Sequence, residues 1–398
     1  MGSRTAHRRS PRVLISGGGV AGPVLAMFLR KAGMDPVVYE GRAEPDDEAG
    51  YFLNLASNGV TVLDALGIED EAVGRGTPTT SIVLRNHRAK VLGTVPEKSV
   101  LLRRGALGGA LREAALRAGV PIEFGKRLSG VRVTSAGAVA ARFEDGSETE
   151  GDLLVGCDGI HSKTRRCVMP DAPGPRYAGI IDSGGFTRTA GVPPSSGVFS
   201  MTFGLEGFFG YQVLDSGEIY WFQNFHRASE PGRGELEAIS DAEWRRKLAA
   251  MHRDDHRPIQ DIIGSTGGRI GRWPNYEMPS PPAWHRGPVC LVGDAAHAMQ
   301  PSAGQGASMA LEDAMVLAKC LRDVPEAAQA FAAYERLRRK RVERFAQEAR
   351  RNGARKAPTN PVARGIRDLV MPLVLKVAAR NAARGRDHKL DWDAKVAA

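Results

Sequence analysis

The chain has 398 residues, 42% of them hydrophobic and 25% charged, with a formal net charge of +10. That length exceeds one small core and sets two domains as the expectation, in a composition ordinary for a soluble globular protein. Its four cysteines, Cys157, Cys167, Cys290 and Cys320, form no CxxC pair, which speaks against a disulfide framework or a zinc site and for a reducing compartment, the cytoplasm.

No apolar run is long enough to span a bilayer, so no membrane partner is expected. Arg8-Arg9 suggests a twin-arginine export signal. A strand pattern follows at once, however, so these residues read as a short, disordered basic leader. Val13 to Ile15 then reads as a buried parallel strand. It breaks into Gly17-Gly18-Gly19-Val20-Ala21-Gly22, a GxGxxG turn, and a helix pattern runs from Pro23 to Ala32. A second apolar strand, Pro36 to Tyr39, ends at Glu40, 18 residues after the last glycine. Gly17 permits the tight turn, Gly19 lets backbone approach a pyrophosphate, and Gly22 lets helix and strand pack closely. Free N–H groups at the helix start hold phosphates, and Glu40 accepts from a ribose hydroxyl. Strand, helix and acid all fall where a bound dinucleotide needs them.

A loop from Ala49 to Leu55 precedes a helix over Ser57 to Leu66, stopped by Gly67. Ser81 to Arg85 and Lys90 to Val95 alternate as a hairpin, and a helix to about Ala118 follows Leu101-Leu-Arg-Arg104. Val131 to Val133 and Val139 to Phe143 are β-patterned, with Asp145-Gly146 as a turn. Between Ile180 and Phe225 short strands rich in Phe, Tyr, Val and Gly predict a mostly antiparallel sheet. Ser240-x-x-Glu243 predicts a capping box and a helix to about His252. Between Arg336 and Lys356 ten basic residues and two acids give +8. Phe331, Tyr334 and Leu337 recur at helical spacing there, so the charge reads as the solvated face of one amphipathic helix. With no interleaved aromatics it does not suggest nucleic acid. The fold class is α/β. A discontinuous Rossmann-like nucleotide-binding domain (1–78, 99–179 and 271–355) is interrupted by a hairpin at 79–98 and a mostly antiparallel β-sheet substrate domain at 180–270, and C-terminal helices fill 356–398.

Two further motifs sharpen this reading. A buried strand from Leu153 runs into Asp158-Gly159, then Ser162 and Arg165. A second, from Val289, ends in Gly293-Asp294 and continues through His297, Pro301, Gly304-Gln-Gly306-Ala307 and Leu311-Glu-Asp-Ala314. Ligands bind beyond the carboxyl ends of such strands. Asp294 there can accept from a polyol hydroxyl, and the helix opened by Gly304 and Gly306 favours an electron-rich edge.

In the order and spacing of these three motifs the chain resembles the class A FAD-dependent aromatic monooxygenases, the p-hydroxybenzoate hydroxylase-like family, from Val13 to about Ala349. The resemblance implies non-covalent FAD and NAD(P)H as co-substrate. It also implies O2 captured as a flavin C4a-hydroperoxide that hydroxylates or epoxidises an aromatic or polycyclic small molecule. Position by position, it implies that Gly17, Gly19 and Gly22 hold the pyrophosphate, Glu40 the adenosine ribose and Asp294 the ribityl chain. Arg104, in an R-x-x-L pattern, would reach the phosphates, with Arg103 as the off-by-one alternative. Asp158 and Arg165 match the motif tied to FAD and NAD(P)H handling, and Pro301, Gly304, Gly306 and Ala307 the loop beside the flavin. His297 reads as a support of the helix start, and Met299 and Met309 as packing near the cofactor. Ser308 departs from the asparagine of many relatives. The loop at 49–57 and the chain length look more like the compact members acting on polycyclic or secondary metabolites, tetracycline-modifying enzymes among them. The aromatic-rich stretch from Phe199 to Phe225 is expected to wall an apolar pocket, with His226, Tyr211, Tyr220 and Arg188 as unranked candidates for a base.

Other flavoprotein readings fit less well. The cluster Gly267-Gly-Arg-Ile-Gly271 has the wrong spacing for the second nucleotide motif of a disulfide reductase. No paired-tryptophan motif of a halogenase surrounds Trp221, Trp244, Trp273 or Trp284. A reductase or dehydrogenase on the same fold is the alternative, and a non-enzymatic lipid escort the remoter one.

Overall fold

The computed structural model describes residues 10–48, 50–135, 137–355, 360–386, 388 and 390–396. Arg8-Arg9, Ala49 of the early loop and Lys356 of the basic run lie outside them. In chain order the first elements are β1 (Arg12–Ser16), α1 (Ala21–Lys31), β2 (Asp35–Tyr39), β3 (Phe52–Ala56), α2 (Ser57–Asp64), α3 (Glu69–Val73), β4 (Thr77–Asn86), β5 (Val91–Arg103) and α4 (Arg104–Arg117). Then come β6 (Ile122–Glu123), β7 (Leu128–Val133), β8 (Val139–Phe143), β9 (Glu148–Gly151), β10 (Leu153–Gly156), α5 (Lys163–Val168), β11 (Arg176–Thr187), β12 (Val198–Phe203), β13 (Phe208–Val213) and β14 (Ile219–His226). The chain continues with α6 (Asp241–Met251), α7 (Ile259–Ser265), β15 (Gly271–Glu277), β16 (His285–Arg286), β17 (Val289–Leu291), α8 (Asp294–His297), α9 (Gly306–Asp323), α10 (Ala327–Arg355) and α11 (Pro361–Arg386).

Six strands form one sheet in the order β16-β17-β10-β1-β2-β6, all pairs parallel except β16 with β17. Parallel strands are covered on both faces, which is why Val13, Leu14, Ile15, Leu154 and Val155 are all buried. The register sets Ser16 beside Gly156 and Gly156 beside Leu291, so all three nucleotide motifs leave one edge of the sheet together. Helix α9 runs through the core, buried all round, and α1, α2 and α10 pack on it.

Eight strands form the second sheet, ordered β15-β11-β14-β13-β12-β4-β5-β3, with β12 and β4 its one parallel pair. Strands from four separate stretches of chain meet in it, including β3 and β15, which flank the nucleotide motifs in sequence. The two-residue period of a strand splits its aromatics between two faces. Phe209, Trp221 and Phe225 pack with Trp244, Leu248, Ile262 and Ile263 of α6 and α7 on one face. Phe199, Phe208 and Phe222 take the other. The Ser240 cap of α6 is present, its side chain accepting from the Glu243 N–H. A small sheet, β7-β8-β9, closes the outer side of the first.

Helix α10 corrects one expectation. Phe331 and Tyr334 are buried, but Leu337 is 49% exposed and the fully buried side chain beside it is Arg338. The basic face is therefore not wholly solvated, because Glu312 and Asp313 on α9 draw Arg338 inward. Among the described residues no helix is long and apolar enough to cross a membrane.

Candidate active site

The common edge of β1, β10 and β17 opens on a cavity of about 2070 Å³, lined by residues of all three motifs. Pockets for one small ligand measure roughly 300–1,000 Å³, so a dinucleotide and a second molecule both have room. The turn after β1 needs its glycines. Gly17 has a φ of +110°, and a Cβ there would lie 2.4 Å from the Cys157 carbonyl oxygen. A Cβ on Gly22 would lie 2.0 Å from the Gly17 carbonyl oxygen, whereas one on Gly19 would meet nothing within 4 Å. Gly17 and Gly22 thus serve close packing, and Gly19 leaves its backbone bare to the cavity.

Gly19, Val20, Ala21, Glu40, Arg104, Asp158, Asp294, Pro301, Gly304, Gly306 and Ala307 line the cavity with Gly17, while Gly18 and Gly22 lie behind it. Gly18 donates its N–H to Glu40 Oε2 at 2.7 Å, and Arg42 N–H donates to Oε1 at 2.9 Å, so both carboxylate oxygens are held in place. Arg104 opens α4 at the cavity. Its neighbour Arg103 is engaged elsewhere, paired with Glu218 at 2.7 Å and donating to Tyr220 Oη at 3.1 Å. Asp158 braces its own loop, accepting from Ser162 Oγ at 2.5 Å and from the Thr164 N–H at 2.9 Å. Arg165 is buried off the cavity and donates to the Ala295 carbonyl at 2.6 Å and the Ile160 carbonyl at 2.7 Å, tying the second motif to the third. Asp294 is exposed to the cavity, and no hydrogen bond between described residues engages its carboxylate.

Beneath the loop from Pro301 to Gly306 lies a buried ionic cluster. His297 Nε2 and Asp313 hydrogen-bond, and Arg338 pairs with Asp313 at 2.7 Å and with Glu312. Arg341 joins Glu312 at 2.7 Å, and Asn58 Nδ2 donates to Glu312 at 2.7 Å and to Gln305 Oε1 at 3.1 Å. Burial would raise the Asp313 carboxyl, but the charges of His297 and Arg338 prevail and hold it below the usual range. Glu312 behaves likewise, burial being outweighed by Arg338 and Arg341. His297, against Trp284 at 5.0 Å, supports the helix start and does not line the cavity. Ser308 fills its departure from the asparagine pattern by accepting from the Ala56 N–H at 3.2 Å, which joins α9 to β3. Met299 lines the cavity, while Met309 is buried in the core.

The second sheet supplies the opposite wall. Phe199, Met201, Phe203, Phe208 and Phe222 face the cavity, and Met371 and Leu375 of α11 close its far side. Of the candidate bases none lines it. His226 and Arg188 are exposed, and Tyr211 turns to the other face of the sheet with Phe209. Tyr220 is held by Arg103. Burial raises both phenols above their ordinary value, so they stay protonated at neutral pH. Residues that motif reading passed over do reach the cavity: Gln305, Asp182, Asn224, Tyr51 and Trp273. Tyr51 and Trp273 stack at 5.0 Å. Gln305 was legible only as the spacer between two glycines.

The fit to FAD rests on three observations. Gly19 presents bare backbone at the start of α1. The first turns of α1 and α9 hold no acidic side chain that would repel phosphate or an electron-rich ring. The Gln305 side chain is 1% exposed, and its Nε2 has no partner among the described residues. A buried donor without a partner costs about 1–3 kcal/mol, and a bound polar ring edge offsets that cost.

A family profile described as an FAD binding domain matches residues 11–349. The aurachin C monooxygenase/isomerase of Stigmatella aurantiaca is 30% identical over 377 residues, covering 91% of this chain and 94% of that one. The 3-amino-4-hydroxybenzoate 2-monooxygenase of Streptomyces cremeus is 31% identical over 361 residues, covering 86% and 87%. Among solved structures, an FAD-complexed HpxO variant of Klebsiella pneumoniae aligns with a TM-score of 0.84 at 23% identity over 94% of this chain and 98% of that one, a likeness of fold. The chain belongs to the FAD-binding domain family and is a class A FAD-dependent aromatic monooxygenase.

Proposed function

We propose that the protein hydroxylates or epoxidises an aromatic or polycyclic small molecule of secondary metabolism or antibiotic modification, with NAD(P)H as reductant and O2 as oxygen source. The observation that carries this reading is the continuity of one cavity from the nucleotide motifs to the aromatic wall of the second sheet. Bound flavin supplies the redox and oxygen-transfer chemistry. Backbone N–H groups from Gly19 to Ala21, at the start of α1, hold the pyrophosphate with Arg104, and Gly17 and Gly22 keep that turn tight. Glu40 takes the adenosine ribose, Asp294 the ribityl hydroxyls, and the segment from Pro301 to Ala307 the ring. Asp158 keeps its loop in shape beside them. The hairpin at 79–98 and the segment 180–270 receive the substrate, and the remaining nucleotide-binding segments hold the cofactor.

Phe199, Phe208 and Phe222 orient a planar ring through their faces and edges. With α11 closing the far side they also keep bulk water from the reacting centre, where it would divert oxygen to hydrogen peroxide. A cytoplasmic location accords with four free cysteines and a need for reduced nicotinamide. The test is NAD(P)H oxidation by the FAD-loaded enzyme across a panel of aromatic and polycyclic compounds. At least one compound should raise the rate well above the idle rate. Uniform, compound-independent oxidation contradicts the reading.

A further inference from the structure

The cavity face of the second sheet is apolar over β12 and β13 and polar at two places, around Asn54, Glu97 and Ser99 on β3 and β5 and around Asp182 and Asn224 on β11 and β14. Asp182 on β11 and Asn224 on β14 are registered partners, side by side on that face. Both line the cavity, and both are more than nine-tenths buried. Asn275 on β15 donates its Nδ2 to Asp182 Oδ2 at 3.0 Å, which fixes the carboxylate's orientation. Strand β15 then leads to the flavin-side loop, since the Met278 N–H just beyond it donates to the Ala298 carbonyl at 2.7 Å. The Asp182–Asn224 pair thus lies beside the strand that runs to the segment beginning at Ala298. The next residue across the sheet from Asn224 is Phe208, and the apolar floor begins there.

A carboxylate set into an apolar wall is costly unless it serves hydrogen-bond donors. Cross-strand neighbours have Cβ atoms about 4.5–5.5 Å apart, a spacing that lets two side chains grip one ring edge. Asp182 only accepts when ionised, whereas Asn224 both donates and accepts. Together they complement a ring edge that carries an N–H or O–H donor with an acceptor beside it.

We propose that Asp182, oriented by Asn275 and flanked by Asn224, is a specificity residue that selects aromatic substrates presenting a lactam N–H or a phenolic O–H toward the flavin side of the cavity. This rests on the monooxygenase reading above and names the substrate class for the same site. Asp182 accepts the donor and sets which ring edge faces the Pro301 loop, while Phe208 and Phe222 take the ring.

The test titrates the FAD-loaded enzyme with two matched pairs of probes and follows perturbation of the flavin absorbance. One pair is 2(1H)-quinolone and its N-methyl derivative, the other 1-naphthol and 1-methoxynaphthalene. The wild type should bind the donor-bearing member of each pair about tenfold more tightly or better, the range of a charge-assisted hydrogen bond. Asp182→Ala should bind both members alike while its FAD dissociation constant is unchanged. Should that variant fail to fold, Asp182→Asn, which keeps the shape, should show discrimination reduced but not abolished. Equal binding by the wild type, no binding of either donor-bearing probe, or discrimination that survives in Asp182→Ala overturns the proposal. Loss of discrimination in Glu97→Gln alone does so too, because it moves the role to another carboxylate that the second sheet brings to the cavity. The two readings fail differently. Oxygen insertion without donor discrimination removes only the role of Asp182, and donor discrimination without oxygen insertion removes the monooxygenase reading.

Discussion

Asp294 leaves β17 with its carboxylate exposed to the cavity, at the edge where all three nucleotide motifs emerge. A charge-assisted hydrogen bond to a ribityl hydroxyl contributes roughly 1.5–3 kcal/mol. Asp294→Ala should therefore weaken FAD binding about tenfold or more without unfolding the apoprotein, as measured by flavin fluorescence titration. An unchanged dissociation constant would place the cofactor elsewhere. Gly17, Gly22 and Gly304 were legible in the sequence because a sub-3 Å approach at the first two and a left-handed φ at the third favour glycine. Asp182 and Gln305 were not. Nothing local marks a carboxylate in a strand as facing a ligand, and that role exists only once β11, β14 and β15 are side by side.

At the scale of elements, the cluster joining α8, α9 and α10 carries the flavin-side loop. Removing one partner of a buried ion pair costs about 3–5 kcal/mol because the other charge is stranded. Arg338→Leu leaves Asp313 with His297 and Glu312 with Arg341 as their remaining partners, and urea unfolding at pH 7 should register a loss toward the lower end of that range. In the wild type both carboxyls lie below their ordinary value. Their contribution is therefore complete above the usual carboxylate range and is lost as pH falls through the depressed folded values. The gap between wild type and variant should narrow toward acid pH. A gap independent of pH would show that lost packing, not charge, carries the effect. The helix itself was legible from its apolar spacing. Which of its arginines turns inward was not, because the partner carboxylates lie on a different helix.

Across the whole molecule, continuous apolar runs made the first sheet readable, and short aromatic-rich strands made much of the second. The mixing of β3 and β15 into the second sheet was not, since sheet membership depends on contacts between distant stretches of chain. The cavity lies between the two sheets, and although Cys157 and His161 line its nucleotide half, no sequence motif marks either for a covalent flavin link. Acid precipitation of the yellow protein should therefore release all of its flavin to the supernatant. Flavin retained in the pellet would require a covalent link. The central claim is that this cavity directs oxygen from O2 onto a ring held against the second sheet. The most direct measurement is turnover under ¹⁸O₂ with the compound that best stimulates NAD(P)H oxidation, followed by mass spectrometry of the product. One atom of ¹⁸O per product molecule is the predicted result, whereas label arriving only from water, or product forming equally well without oxygen, would contradict the account.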